Sequence, residues 1–144
     1  MSRFDTHRTR FVLPMVAGLF LCLLSSCSTV SNRDLAENVV TTFHAQFNSQ
    51  LFETIELAAG PEFKGAKGLG KSYLEKVHEK LGRVTSSKQV TGSVQNMEGE
   101  AQINLMYMTE FANSQAPEQF VFRVKDRKPK LIYYEVHFKD LSND

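Results

Sequence analysis

The sequence predicts an α+β domain, with three N-terminal helices packed on one face of a four-stranded antiparallel meander sheet. Three observations lead there. Apolar residues recur every three or four positions between residues 35 and 81. From residue 83 the period changes to two. The alternating runs are separated by short turn sequences, too short for the crossover that a parallel pair requires.

In the first helix Leu35, Val39, Phe43 and Phe47 recur every four residues, flanked by Val40. Asp34 is the expected N-cap and Glu37, three residues on, its capping partner. A second short helical stretch holds Leu51, Phe52, Ile55 and Leu57, and Gly60-Pro61 is expected to end it. Gly65 to Gly70 reads as a loop. The third helix runs from Ser72 to Leu81, with Leu74, Val77 and Leu81 on one face and Gly82 as its stop.

Arg83 to Gln95 is a long polar strand rich in Thr, Ser and Val, the composition of an exposed edge. A turn at residues 96–99 leads into Ala101 to Ala112, where Ile103, Leu105, Tyr107 and Phe111 alternate with Gln102, Asn104 and Glu110. After a turn at residues 113–117, Glu118 to Lys125 alternates Phe120, Phe122 and Val124 with Val121, Arg123 and Lys125. A last turn at residues 126–129 gives Lys130 to Lys139. There Ile132, Tyr134, Val136 and Phe138 share one face, and Leu131, Tyr133, Glu135 and His137 the other. Met106, Met108, Val121, Leu131 and Tyr133 thus fall on a sheet face that no expected helix covers, a candidate interaction face.

The first 26 residues stand apart from this domain. Arg3, Arg8 and Arg10 make a basic start, and Phe11 to Leu24 is a run of fourteen uncharged residues. A membrane span needs about 20 such residues, whereas the apolar core of a secretory signal peptide is this short. Leu24-Ser25-Ser26-Cys27 resembles the bacterial lipobox, an aliphatic residue and two small ones before Cys. That resemblance implies diacylation of the Cys27 thiol, then cleavage that frees its amine. Cys22 would leave with the leader. Residues 27–33 would form the lipidated tether and residues 34–144 the domain. The leader holds three of the 17 basic and one of the 16 acidic residues, leaving 14 against 15 and a net charge of −1. Two or more acyl chains anchor stably where one does not. Ser28 rather than Asp after the Cys implies, by the sorting rule of lipoproteins, an outer-membrane location facing the periplasm.

Lys80-Leu81-Gly82, Tyr107-Met108-Thr109-Glu110-Phe111, Glu118-Gln119-Phe120 and the terminal strand with Tyr133-Tyr134 carry a second resemblance. Over Asp34 to Asp140 the pattern is similar to the nuclear-transport-factor-2-like or cystatin-like domains of small bacterial lipoproteins. That superfamily includes enzymes, ligand binders and scaffolds, so the fold alone does not choose among them.

The near-neutral charge offers no electrostatic footprint for nucleic acid. Gly65-Ala66-Lys67-Gly68-Leu69-Gly70-Lys71-Ser72 matches the phosphate-loop pattern literally. The motif requires a buried strand leading into it, and residues 58–64 do not read as one. A capping box between Ser72 and Glu75 accounts for the same residues, so no nucleotide is expected. His44, His78 and His137 lack metal-ligand spacing, and neither metal nor cofactor is expected. An acid–base pair would have to come from Tyr73, Tyr107, His44 or Glu135, and no carboxylate stands out at an inward position. Phe43, Phe47, Phe111, Phe120, Phe122 and Phe138 fill a core or line a pocket. The reading is therefore a non-enzymatic envelope lipoprotein, anchored through Cys27, whose sheet serves protein interaction or self-association. The alternatives are a binder of small molecules or lipids, and an isomerase or hydrolase.

Overall fold

The computed structural model describes residues 30–65 and 70–138. The leader, Cys27 and residues 66–69 and 139–144 lie outside them. The chain is α+β. Four helices, α1 (Asn32–Asn48), α2 (Phe52–Ala58), α3 (Pro61–Gly65) and α4 (Lys71–Leu81), precede four strands, β1 (Val84–Met97), β2 (Glu100–Phe111), β3 (Gln115–Lys125) and β4 (Lys128–Val136). The strands form one open antiparallel sheet in the order β1-β2-β3-β4.

Helix α1 starts two residues before the expected Asp34. Its N-cap is Ser31, whose hydroxyl accepts from the Asp34 amide at 3.1 Å, while the Ser31 amide donates to the Asp34 carboxylate at 2.8 Å. The box is the expected motif moved three residues toward the N-terminus: Asp34 is its third-position acid, not its cap. The Ser31 amide, and after it the Ser31 hydroxyl, hold the Asp34 carboxyl below its usual range. Gly60-Pro61 ends α2 as expected, but Pro61 also opens α3, an unexpected helix. Proline suits a first helical position because that amide has no intrahelical partner.

Helix α4 corrects a second expectation. Its N-cap is Gly70 and no side chain bonds to the helix start, so Ser72 and Glu75 form no capping box. Glu75 instead lies 3.9 Å from Lys71 across one exposed turn. At the other end Gly82 has φ 79°, and a Cβ there would meet the Ala112 Cβ at 2.9 Å. Glycine is required on both counts.

The strand boundaries shift where turns prove tighter than their composition implies. Asp126 and Arg127 both have positive φ, 49° and 58°, and make a two-residue hairpin turn, so Lys128 and Pro129 belong to β4. Pro117, expected in a turn, lies within β3 opposite Met108. Its carbonyl accepts from the His137 amide at 2.9 Å, just past the end of β4, so its missing N–H faces the sheet margin.

The buried cluster joins Ala36, Val40, Phe43 and Phe47 of α1 to Leu74, Val77 and Leu81 of α4, with Phe52, Ile55 and Phe63 between. The strands add Ile103, Leu105, Tyr107 and Phe111, then Phe120, Phe122 and Val124, then Tyr134 and Val136. Phe43 is the hub, with ring centroids 4.6 Å from Tyr134 and 5.1 Å from Phe120. Phe138 packs against the cluster, as the alternation implies.

Leu131 does not lie on the outer face. It is buried in the core cluster. Val121 pairs with Tyr133 but Phe122 pairs with Leu131, which leaves Ile132 as an extra residue in β4. That bulge inverts the alternation, so Leu131 turns inward beside Phe122 and Ile132 stays outside the cluster.

A pair of substitutions tests the caps by thermal melting. Ser31→Ala is expected to destabilise by about 1 kcal/mol. Ser72→Ala is expected to stay within about 0.5 kcal/mol of wild type, because that hydroxyl caps nothing.

Candidate functional site

The one fully buried charged residue among those described is Glu118. It lies two residues before Phe120 on the core side of β3, opposite Tyr107 on β2 and Val136 on β4. One carboxylate oxygen accepts from the Tyr134 hydroxyl at 2.6 Å. The other lies 2.9 Å from His44 Nε2 and accepts a short bond from the Thr109 hydroxyl. Thr109 in turn lies 2.8 Å from the Ser87 hydroxyl. The cluster thus links α1, β1, β2, β3 and β4 through a single carboxylate.

Three donors on Glu118 occupy most of the acceptor capacity of its two oxygens. No buried polar side-chain atom among the described residues lacks a partner. Burying a carboxylate is costly unless it is paired and hydrogen-bonded, and here it is both. This chemistry holds elements together. It leaves the carboxylate little capacity to receive a substrate.

Sequence reasoning missed Glu118, although a signal existed: it shares the parity of Phe120, Phe122 and Val124. Of the four proposed acid–base residues, His44 and Tyr107 meet edge to face, but among the described residues no hydrogen bond joins any two of the four. The His44 and Tyr107 ring centroids are 6.4 Å apart. The Tyr73 hydroxyl accepts from the Val136 amide at 2.9 Å. Glu135 accepts from its near neighbour Tyr133. His78 packs against Phe47 and Phe52, and His137 is exposed, so the three histidines occupy separate places. Helix α3, not a strand, leads into the glycine-rich stretch, so the context that a phosphate loop needs does not exist there.

Two other features offer binding surface. A groove of about 270 Å³ opens between α1, α2 and β4. Val39, Phe43, Ile55 and Leu131 make its apolar wall, and Thr42, Gln46 and Lys130 its polar rim. Lys130 Nζ already donates to the Ala58 carbonyl at the end of α2, at 3.0 Å. The second feature is the outer sheet face. Met106 and Tyr133 are half-buried there, Met108 is 37% exposed, and Val121 is buried yet outside the core cluster. Asn104 and Gln119 share this face and bond to each other at 3.3 Å. Helix α3 reaches its margin, where Glu62 pairs with Arg123.

No protein-family model matches the chain, and no curated protein is found to match it.

All four tyrosines have raised pKa values. Burial pushes Tyr107 up to about 12, with the Glu37 charge adding to it. Burial, then the bond to Glu135, pushes Tyr133 up to about 12. Burial and the Glu118 charge hold Tyr134 well above its usual value, and burial raises Tyr73. The unfolded chain ionises near pH 10 while the folded phenols stay neutral. The stability that this contributes is complete below pH 10 and is lost as pH climbs through the folded values. An absorbance titration at the tyrosinate band is expected to show little ionisation at pH 10, then one steep rise coincident with unfolding. A gradual rise centred at pH 10 in folded protein would contradict it.

The Glu118 cluster yields a further expectation. Glu118→Ala strands three donors and opens a cavity, and should cost about 3–5 kcal/mol in denaturant melts. His44→Ala should cost about 1–3 kcal/mol. In a double-mutant cycle the two should couple rather than add.

Proposed function

We propose that the chain is a non-enzymatic lipoprotein of the bacterial envelope, anchored through acyl chains on Cys27, whose sheet takes a protein partner on its outer face. In this reading the helices cover one face of the sheet and leave the other for the partner. The lipid anchor rests on Leu24-Ser25-Ser26-Cys27 behind an uncharged run of fourteen residues. The body follows it closely, with α1 beginning five residues after Cys27. The location that fits Ser28 is the outer membrane, facing the periplasm.

The observation that carries the partner reading is the outer face itself. Met106, Met108, Val121 and Tyr133 form an apolar island bordered by Thr91, Asn104 and Gln119, with Lys88 opposite Met108 and Glu135 bonded to Tyr133, on the side opposite a core already filled by aromatic side chains. Apolar residues gathered in a polar rim are what a protein interface presents. The absence of an enzymatic role is part of the same reading. Its support is the commitment of Glu118 and His44 to bonds within the core.

Mass spectrometry of protein extracted from membranes should find an acylated Cys27 as the first residue, and Cys27→Ser should leave the precursor uncleaved. An unacylated N-terminus elsewhere would overturn the anchor. A photo-crosslinking residue at Met108, in cells, should trap one discrete protein. Met108→Glu should abolish the complex without lowering the melting temperature. Crosslinking to lipid alone would overturn the partner reading.

The groove supports a second reading, a site for a small amphiphile. At about 270 Å³ it is just below the usual size for a ligand pocket. Native mass spectrometry of the purified protein would reveal a retained ligand.

A further inference from the structure

Helix α1 is tied to the sheet at both of its ends, and to opposite ends of the strands. Where α1 finishes, the Asn48 side chain bonds the Val84 amide at 2.7 Å and the Val84 carbonyl at 2.9 Å, and Val84 pairs with Phe111 at the close of β2. Just before α1 begins, the Val30 carbonyl accepts from the Arg127 guanidinium at 2.9 Å, in the turn between β3 and β4. The turn between β1 and β2 lies at that same end, because Glu100, which opens β2, pairs with Lys125, which closes β3. A hollow there is lined by Asn32 of α1, by Met97 and Gly99 of the first hairpin, and by Asp126 and Arg127 of the second. The start of α1 and two hairpin turns thus make one end of the domain.

That end is the one beside the anchor. Val30 follows Cys27 by three residues, and three residues of chain reach at most about 11 Å. Strand β2 has 12 residues, which is about 40 Å of strand. So short a tether brings the Val30 end to the bilayer and leaves the Phe111 end away from it.

The surface of this end has the character that a lipid headgroup layer takes. Val30 and Met97 are 41% and 50% exposed. Beside them Lys125, Arg127, Lys128 and Lys130 are all exposed. Most acids nearby are already engaged: Asp34 by the Ser31 cap, Glu37 by Arg33, and Glu100 by Arg123 and Lys125, both at 3.5 Å. Glu98 and Asp126 remain against Arg127, Lys128 and Lys130, an excess of positive charge. Cations on long aliphatic stems reach headgroup phosphates while apolar neighbours enter the boundary below them.

We infer that this end of the domain rests on the membrane that holds Cys27, with Val30 and Met97 at the headgroup boundary and the turn between β3 and β4 on anionic headgroups. The inference rests on the lipid-anchor reading and adds to it a posture: the strands stand up from the bilayer. Met108, eight residues along β2 from Glu100, is then lifted about 27 Å from that end. The outer face stays clear of lipid.

The full-length protein, purified from membranes and placed in vesicles of phosphatidylethanolamine and phosphatidylglycerol (3:1), tests it. Mass spectrometry of the same sample reads the acylation of Cys27. A fluorophore is attached through Met97→Cys at the anchored end, or through Gln115→Cys at the far end, with the wild-type chain as the control for labelling at Cys27. A lipid with a nitroxide on its headgroup should quench the Met97 label at least threefold more than the Gln115 label. Replacing phosphatidylglycerol by phosphatidylcholine should lower the quenching at Met97 about twofold, and so should Lys125→Gln with Lys128→Gln at an unchanged melting temperature. Equal quenching at the two ends, or quenching at Met97 indifferent to the charge of the vesicle, would overturn the inference while acylated Cys27 leaves the anchor standing. An unacylated Cys27 would overturn the anchor itself, and the posture with it.

Discussion

Glu118 constrains the rest of the domain, because a carboxylate with no access to water must find its donors within the protein. It finds them on three elements: His44 on α1, Thr109 on β2 and Tyr134 on β4. Each donor is a side chain whose backbone must then stand at a fixed height and rotation. Apolar packing alone tolerates small slips between a helix and a sheet, since one methyl group contacts another nearly as well as its neighbour. A buried carboxylate does not, because a slip of one residue strands both the charge and its donors. The register of β2 against β3 and β4, and the seating of α1, are accordingly tied to one residue. Phe43, at the centre of the aromatic core, precedes His44 in the chain, so core packing and the polar link hold the same turn of α1.

The sheet edges show the same division between what is closed and what is left open. The β4 edge is blocked by several devices at once: Lys128 and Pro129 open the strand, Ile132 forms a bulge and α3 lies alongside. The start of β1 is clamped by Asn48. The end of β1 has no such device. A two-residue turn at Glu98-Gly99, with Gly99 at φ 75°, allows the β1–β2 hairpin to extend to residue 97. Strand pairing there is satisfied on one side only. Combined with the proposed membrane anchor a few residues before α1, this would confine a sheet with one free edge to a surface.

Local chemistry that depends on neighbours in the chain is legible in the sequence. The helical period between Leu35 and Phe47, the stop at Gly82 and the alternation of Ile103, Leu105 and Tyr107 all reappear in the fold, as does the edge character of β1. The departures have a common cause. Ser31, Asp34, Ser72 and Glu75 are all competent capping residues, and sequence spacing alone does not say which hydroxyl meets an amide. Pro117 and Pro129 read as turn residues until the hydrogen-bonding side of their strand positions is known. Leu131 reads as outward because alternation assumes an unbroken ladder, and a single extra residue, Ile132, reverses it.

What the sequence by itself determined is whatever rests on short-range period and covalent chemistry: the α+β class, the strand-to-strand meander and the lipobox-like segment ending at Cys27. What only the tertiary structure decided is which polar residues meet. Glu118 has the inward parity of Phe120, yet parity cannot supply a partner 74 residues away in His44 or 16 away in Tyr134. Its burial is tolerable only once those donors converge on it, and that convergence exists in the folded arrangement and in no stretch of chain. The same holds for the two halves of β1. Their composition differs little, and it is Asn48, reaching Val84 from the far end of α1, that ties down the start of the strand alone.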